Sequence, residues 1–213
     1  MRPQVIPYPH ICFDYIIHRI HDVFFDAQLS RSRNFFIRFD LFFPQDYQGD
    51  HRLPHISNFM RRFQYSAHDE PGCRDVYYLA VREQESSKHP HYHLFFLLDG
   101  HYTQNIYGHM DRVRRTWNLT LGLDPEVNHG LVQYRPHQEN NGIMLRRGSL
   151  DLQELTEDCI KQAFYLAKVV SKPPTGRNLF NSQVPCRPPQ ASPYIFPSKM
   201  LTRAHSPSHF PVS

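Results

Sequence analysis

The chain has 213 residues, 40% of them hydrophobic, enough for one well-buried domain with appendages, and no run of 18 apolar residues that would form a transmembrane helix. Its four cysteines, Cys12, Cys73, Cys159 and Cys186, lack paired spacing, which argues against a disulfide framework or a cysteine zinc site and for a reducing cytoplasm. The net charge of +4 hides a split: residues 1–158 hold 17 Lys and Arg with all 20 Asp and Glu, whereas residues 159–213 hold seven basic residues and no acidic one.

Met1 to Pro9 contains one arginine and three prolines and does not read as a secretory leader. Phe13, Ile16, Ile17, Ile20 and Phe24 then fall at helical spacing, so residues 11–27 are expected to form an amphipathic helix. Residues 34–43 read as a Phe-rich strand ended by Pro44, with Phe35, Ile37, Phe39 and Leu41 on one face and Arg38 and Asp40 on the other. A helix over 53–65, strands over 75–83 and 91–98, a helix over 107–119 and a strand over 130–134 follow. That order, β-α-β-β-α-β, is the split β-α-β arrangement of an antiparallel sheet with flanking helices, an α+β fold of ferredoxin or RRM type.

Residues 152–171 read as a further helix, with an apolar stripe at Leu152, Leu155, Cys159, Ala163, Leu166 and Val170, Asp151 as its N-cap and Pro173-Pro174 as its stop. From Lys172 onward nine of the 18 prolines are gathered, mixed with Ser, Gln and His, and little order is expected there. The chain thus divides into a helical segment (1–30), a central domain (31–172) and a Pro-rich basic tail (173–213). The acid-free stretch suits a polyanion partner, or else is a solvated basic tail.

Chemistry concentrates at two places. His91 and His93 stand two residues apart at the head of the apolar run Leu94 to Leu98, so on a strand both imidazoles share one face. Glu83, on the preceding strand, can add a carboxylate oxygen, with Glu85 as its rival. Two imidazoles and one carboxylate suit a divalent ion that polarises a phosphate. His89, before Pro90, reads as loop, and His101 and His109 lack partner spacing. Far downstream, Lys161, Tyr165, Lys168 and Lys172 fall at i, i+4, i+7 and i+11, one helical face. Three ammonium groups around one phenol make a field that favours phenolate and draws a phosphodiester. A polarising metal and an attacking tyrosine together form a set for covalent catalysis.

His91-Tyr92-His93 resembles the His-hydrophobe-His motif of the HUH endonucleases, and Tyr165-Leu166-Ala167-Lys168 is similar to their tyrosine motif. The chain more closely resembles the inovirus replication-initiator-like family, also called the YagK/YfjJ C-terminal-domain family. Ile37-Arg38-Phe39-Asp40-Leu41, Val81-Arg82-Glu83-Gln84, His91-Tyr92-His93-Leu94, Trp117-Asn118-Leu119, Gly130-Leu131-Val132 and the tyrosine motif follow its order over roughly residues 10–182. Gly176 to Ser182 resembles its closing segment imperfectly.

The resemblance implies rolling-circle initiation by single-strand nicking and joining of DNA at a phage-type origin, with host replication proteins as further partners and no membrane role. Tyr165 would attack in line, leaving a 5′-phosphotyrosyl bond and a free 3′-hydroxyl. His91, His93 and Glu83 would hold Mg²⁺ or Mn²⁺, and Lys168 would stabilise transition-state charge. Asp40 would orient a metal ligand or pair with Arg38, and Lys161, Lys172, Arg38 and Arg177 would track DNA phosphates. Tyr92, Phe42 and Trp117 are candidates for base stacking, or else core residues. Two other readings stay open: a DNA-binding regulator on the same fold that does not nick, and a metal phosphoesterase in which Tyr165 is structural.

Overall fold

Alternating aromatic and aliphatic residues in the run after Ser32 build the strand around which everything else assembles. Strand β1 (Arg33–Leu41) pairs antiparallel with β3 (His91–Asp99) along its whole length, Asn34 opposite Asp99 and Leu41 opposite Tyr92. On the far side of β3 lies β2 (Tyr77–Glu83), again antiparallel. The other edge of β1 is shared end to end by β4 (Val132–Tyr134), opposite Phe39 to Leu41, and β5 (Ile143–Arg146), opposite Arg33 to Phe36. A last short strand, β6 (Leu179–Asn181), extends the sheet beyond β2. The order is β4-β1-β3-β2-β6. The computed structural model describes residues 13–51, 54–66, 75–84, 88–103, 105–134, 142–168 and 178–182.

Four helices are described: α1 (Asp14–Ser30), α2 (His55–Ser66), α3 (Tyr107–Leu121) and α4 (Leu152–Phe164). Helices α2 and α3 are the two crossovers of the β-α-β-β-α-β unit and share one face of the sheet. Phe59, Phe63, Val113 and Trp117 bury there against Phe39, Leu94 and Phe96. Helices α1 and α4 cover the opposite face. Val23, Phe24, Cys159 and Ala163 bury against Phe36, Phe95 and Leu97. Because the side-chain period of a strand is two, each of β1 and β3 feeds both cores alternately. Phe24, Phe36 and Phe95 meet with ring centroids 5.3–5.8 Å apart. Removing such a ring costs about 3–5 kcal/mol in lost transfer energy and residual cavity.

The observed ends differ from the expected ones where local signals are weak. Helix α1 starts and stops three residues later than the apolar spacing predicts. Gly122 closes α3 in the left-handed conformation (φ 75°), its N–H reaching the carbonyls of Asn118 and Leu119. Helix α4 is shorter than expected. It ends at Phe164, tightens into a 3₁₀ turn over Tyr165–Ala167, and leaves helical geometry at Lys168 (φ −56°, ψ 140°). Asp151 holds the N-cap position but makes no capping hydrogen bond through its side chain. Pro173, Pro174 and the Pro-rich tail lie outside the described residues. So do Cys12, Cys73 and Cys186.

Candidate metal centre and its tyrosine

The sheet register assembles the centre. Glu83 on β2 stands directly opposite His91 on β3, and Asp40 on β1 directly opposite His93. Directly opposed antiparallel residues bring their Cβ atoms within about 5.5 Å, so these four side chains form one patch on the face that carries α1 and α4. Glu83 is 1% exposed and His93 5%. The Nε2 atoms of His91 and His93 lie 3.2 Å apart, and Glu83 Oε2 is 3.1 Å from His93 Nε2 and 3.9 Å from His91 Nε2. One donor atom from each of the three lies within 4.8 Å of the others.

Asp40 fixes the orientation of the pair. Its Oδ1 is 2.6 Å from His93 Nδ1, so the ring donates there and aims Nε2 at Glu83 and His91. Burial disfavours charge on His93, but the hydrogen bonds to Asp40 and Glu83 outweigh it and raise the pKa above its ordinary value. His91 goes the other way: burial and the neighbouring His93 lower it. The ring of His91 lies flat on Phe42, with centroids 5.3 Å apart and planes 14° from parallel. With Asp40 at Nδ1 and Glu83 at Nε2, the His93 ring meets a carboxylate from each nitrogen, a setting that favours positive charge at the Nε2 side. Replacing the Nε2 proton with a cation leaves Asp40 still matched and gives Glu83 a positive partner. The donor set, two imidazoles and a carboxylate, therefore fits a divalent ion.

The tyrosine arrives from α4. The 3₁₀ turn places Lys168 back against Tyr165, with Lys168 Nζ donating to the phenol oxygen at 2.8 Å. The same ammonium lies 3.5 Å from Glu83 Oε2, so one side chain spans the phenol and the metal-ligand carboxylate. The Tyr165 ring sits edge-on to His93 at 5.2 Å, and the Arg38 guanidinium covers it at 4.7 Å. Arg38 also donates weakly to the Gln162 carbonyl at 3.4 Å. A cleft of about 530 Å³ opens beside Tyr165 and His93, lined also by Arg38, Asp40, Gln133 and Gln162.

Other anticipated residues fall elsewhere. Lys161 stands one helical turn before Tyr165, within α4. Its ammonium pairs with Asp158 at 2.9 Å and is 43% exposed. Lys172, Arg177 and Glu85 lie outside the described residues. Trp117 and Tyr92 are core residues, on the α2 and α3 face, and are closed to a base. Trp117 is wholly buried and donates its indole N–H to the Phe42 carbonyl, while burial pushes the Tyr92 phenol up to about 12. Phe42 lays a ring face on His91. His89 lies in a loop, as expected, and stacks there on His51 with Nδ1 2.8 Å from His51 Nε2. The sequence reading does not single out Gln133 and Gln162. Only the pairing of Gln133 with Asp40 across β1 and β4, a long-range register, brings the first to the site.

A family model described as the YagK/YfjJ C-terminal domain matches residues 10–180. No curated protein and no solved structure matches the chain. The chain belongs to the YagK/YfjJ C-terminal-domain family.

Proposed function

We propose that this YagK/YfjJ C-terminal-domain protein nicks and rejoins single-stranded DNA through a 5′-phosphotyrosyl intermediate, as a rolling-circle initiator of the HUH type found in inovirus-like elements. One observation carries the reading. Lys168 Nζ contacts both the Tyr165 phenol oxygen and Glu83, so a nucleophile and a metal-ligand set converge on one small volume. A structural tyrosine has no need of an ammonium shared with a buried carboxylate.

Glu83, His91 and His93 would hold Mg²⁺ or Mn²⁺, whose contribution is to draw charge from the non-bridging oxygens of a phosphodiester. The protein's own groups do the rest. Tyr165 forms the new O–P bond as the bond to the 3′-oxygen breaks; its phenolic proton is lost to solvent and the departing 3′-oxygen takes one up, giving the 3′-hydroxyl with no net proton change. Lys168 balances the negative charge that develops on the phenol oxygen. Asp40 keeps His93 in the ligating tautomer, and Phe42 holds the His91 ring. Because the phosphotyrosyl diester keeps the energy of the bond it replaced, the free 3′-hydroxyl can reverse the step, or prime a host polymerase.

Incubation with an origin-like single-stranded oligonucleotide and Mn²⁺ tests this. The expected product is a denaturant-resistant adduct, absent in Tyr165→Phe and in the double variant His91→Ala/His93→Ala. Cleavage without an adduct would instead mark a phosphoesterase, and binding alone a regulator.

A further inference from the structure

The cleft beside the metal-ligand set is larger than the phosphate group that the proposed chemistry places between Tyr165 and His93. The cleft of about 530 Å³ is large enough for a nucleoside and shares Tyr165 and His93 with the centre, so its occupant must be continuous with the group being worked on. Its polar wall has two carboxamides. Gln133 comes from edge strand β4, directly opposite Asp40, and so shares the face of Asp40 and His93. Gln162 comes from α4, one turn before Tyr165, and its Nε2 is buried with no hydrogen-bond partner. An orphaned buried donor is costly, by about 1–3 kcal/mol, and a turn of the Gln162 carboxamide toward the cleft would let a ligand acceptor satisfy it. Arg38, clamped over the Tyr165 ring, closes the cleft on the tyrosine side.

Carboxamides and a guanidinium around a half-open slot match the edge of an unstacked nucleobase, which alternates donors and acceptors, better than a phosphate. A phosphate would bring only acceptors and meet the Asp40 carboxylate on the same wall. We infer that this cleft receives one splayed base of the single strand, adjoining the scissile phosphate, and that Gln162 and Gln133 read its edge. The inference rests on the single-strand reading above and adds the element that sets sequence preference. Gln162 and Gln133 are specificity residues, distinct from those that hold the metal or attack.

The test is equilibrium binding of the full chain, by fluorescence anisotropy in Mn²⁺, to single-stranded oligonucleotides randomised one position at a time around a nick site. The wild type is expected to prefer one base at one position by roughly tenfold or more, the discrimination a good carboxamide–base contact provides. Gln162→Ala, a substitution that favours helix, and Gln133→Ala should each flatten that preference severalfold. Affinity for the least favoured oligonucleotide should stay as in the wild type and the melting temperature should hold or rise, whereas a merely structural role would lower it. Unchanged preference in both variants, or a wild type indifferent to base at every position, overturns the inference. Failure to form an adduct, with the preference present and lost in the variants, would sink the nicking reading and leave the base pocket standing.

Discussion

Asp40 Oδ1 lies 2.6 Å from His93 Nδ1, and this contact between neighbouring strands decides which nitrogen of His93 faces the metal-ligand set. The two residues are exact register partners, so the contact is built into the pairing of β1 with β3. Outer partners of this kind typically affect metal affinity by 10–100-fold. Asp40→Ala should therefore weaken Mn²⁺ binding by about that factor, read by titration calorimetry, while the fold and the Tyr165 contacts persist. Affinity within twofold of the wild type would show that the tautomer is set otherwise.

Lys168→Met should slow adduct formation by about 10²-fold, the scale of losing one donor to a developing oxyanion. Single-turnover gels give the rate. Mn²⁺ affinity should hold or rise, because the variant removes a competing cation 3.5 Å from Glu83. A rate equal to wild type would mean the ammonium serves Glu83 alone.

His21, 4% exposed on α1 with its ring edge-on to Phe164, is held down to about 4 by burial and by nearby His18. A base whose folded value is depressed binds fewer protons when folded than unfolded. Its contribution is fully present above the unfolded value of about 6.5 and is lost as pH falls from there toward 4. About 3 kcal/mol of stability should disappear across that window, given about 1.4 kcal/mol per pH unit. Urea melts at pH 7 and pH 4.5 measure the loss, and His21→Leu should remove most of the difference between them. An equal difference in the variant would assign acid sensitivity to other groups.

Trp117 belongs to the core and not to a DNA surface. Trp117→Ala should cost about 3–5 kcal/mol in chemical denaturation. At a temperature where the variant is still folded, its affinity for single strands should match the wild type. A selective loss of DNA binding without a loss of stability would contradict its place under Phe59 and Tyr92.

The parts of this architecture that were legible in the sequence are those with a strong period. The two-residue alternation from Phe35 to Leu41 and from His91 to Leu97 places β1, β3 and the shared face of Asp40, His91 and His93. The β-α-β-β-α-β order follows from the element string. The juxtaposition of Glu83, His91 and His93 follows from parity and a short hairpin. The three-residue β4 falls within the strand expected over 130–134, but β5 and β6 carry no comparable alternation and escape a periodicity reading, although β6 falls on the closing segment of the family resemblance. The helical face of Lys161, Tyr165 and Lys168 rests on 3.6 residues per turn, and the chain abandons that pitch after Phe164. Lys168 closes on Tyr165 across the 3₁₀ turn, which no residue type announces, while Lys161 pairs with Asp158 within the helix. Gln133 owes its position to pairing across more than ninety residues, which local pattern does not encode.

The most direct measurement is peptide mapping of the protein after reaction with a single-stranded oligonucleotide and Mn²⁺. Following nuclease trimming and proteolysis, mass spectrometry should find the nucleotide remnant on Tyr165, joined through phosphorus, with a free 3′-hydroxyl on the released fragment. Cut DNA bearing a 5′-phosphate alongside unmodified Tyr165, or a remnant on any other residue, would contradict the account.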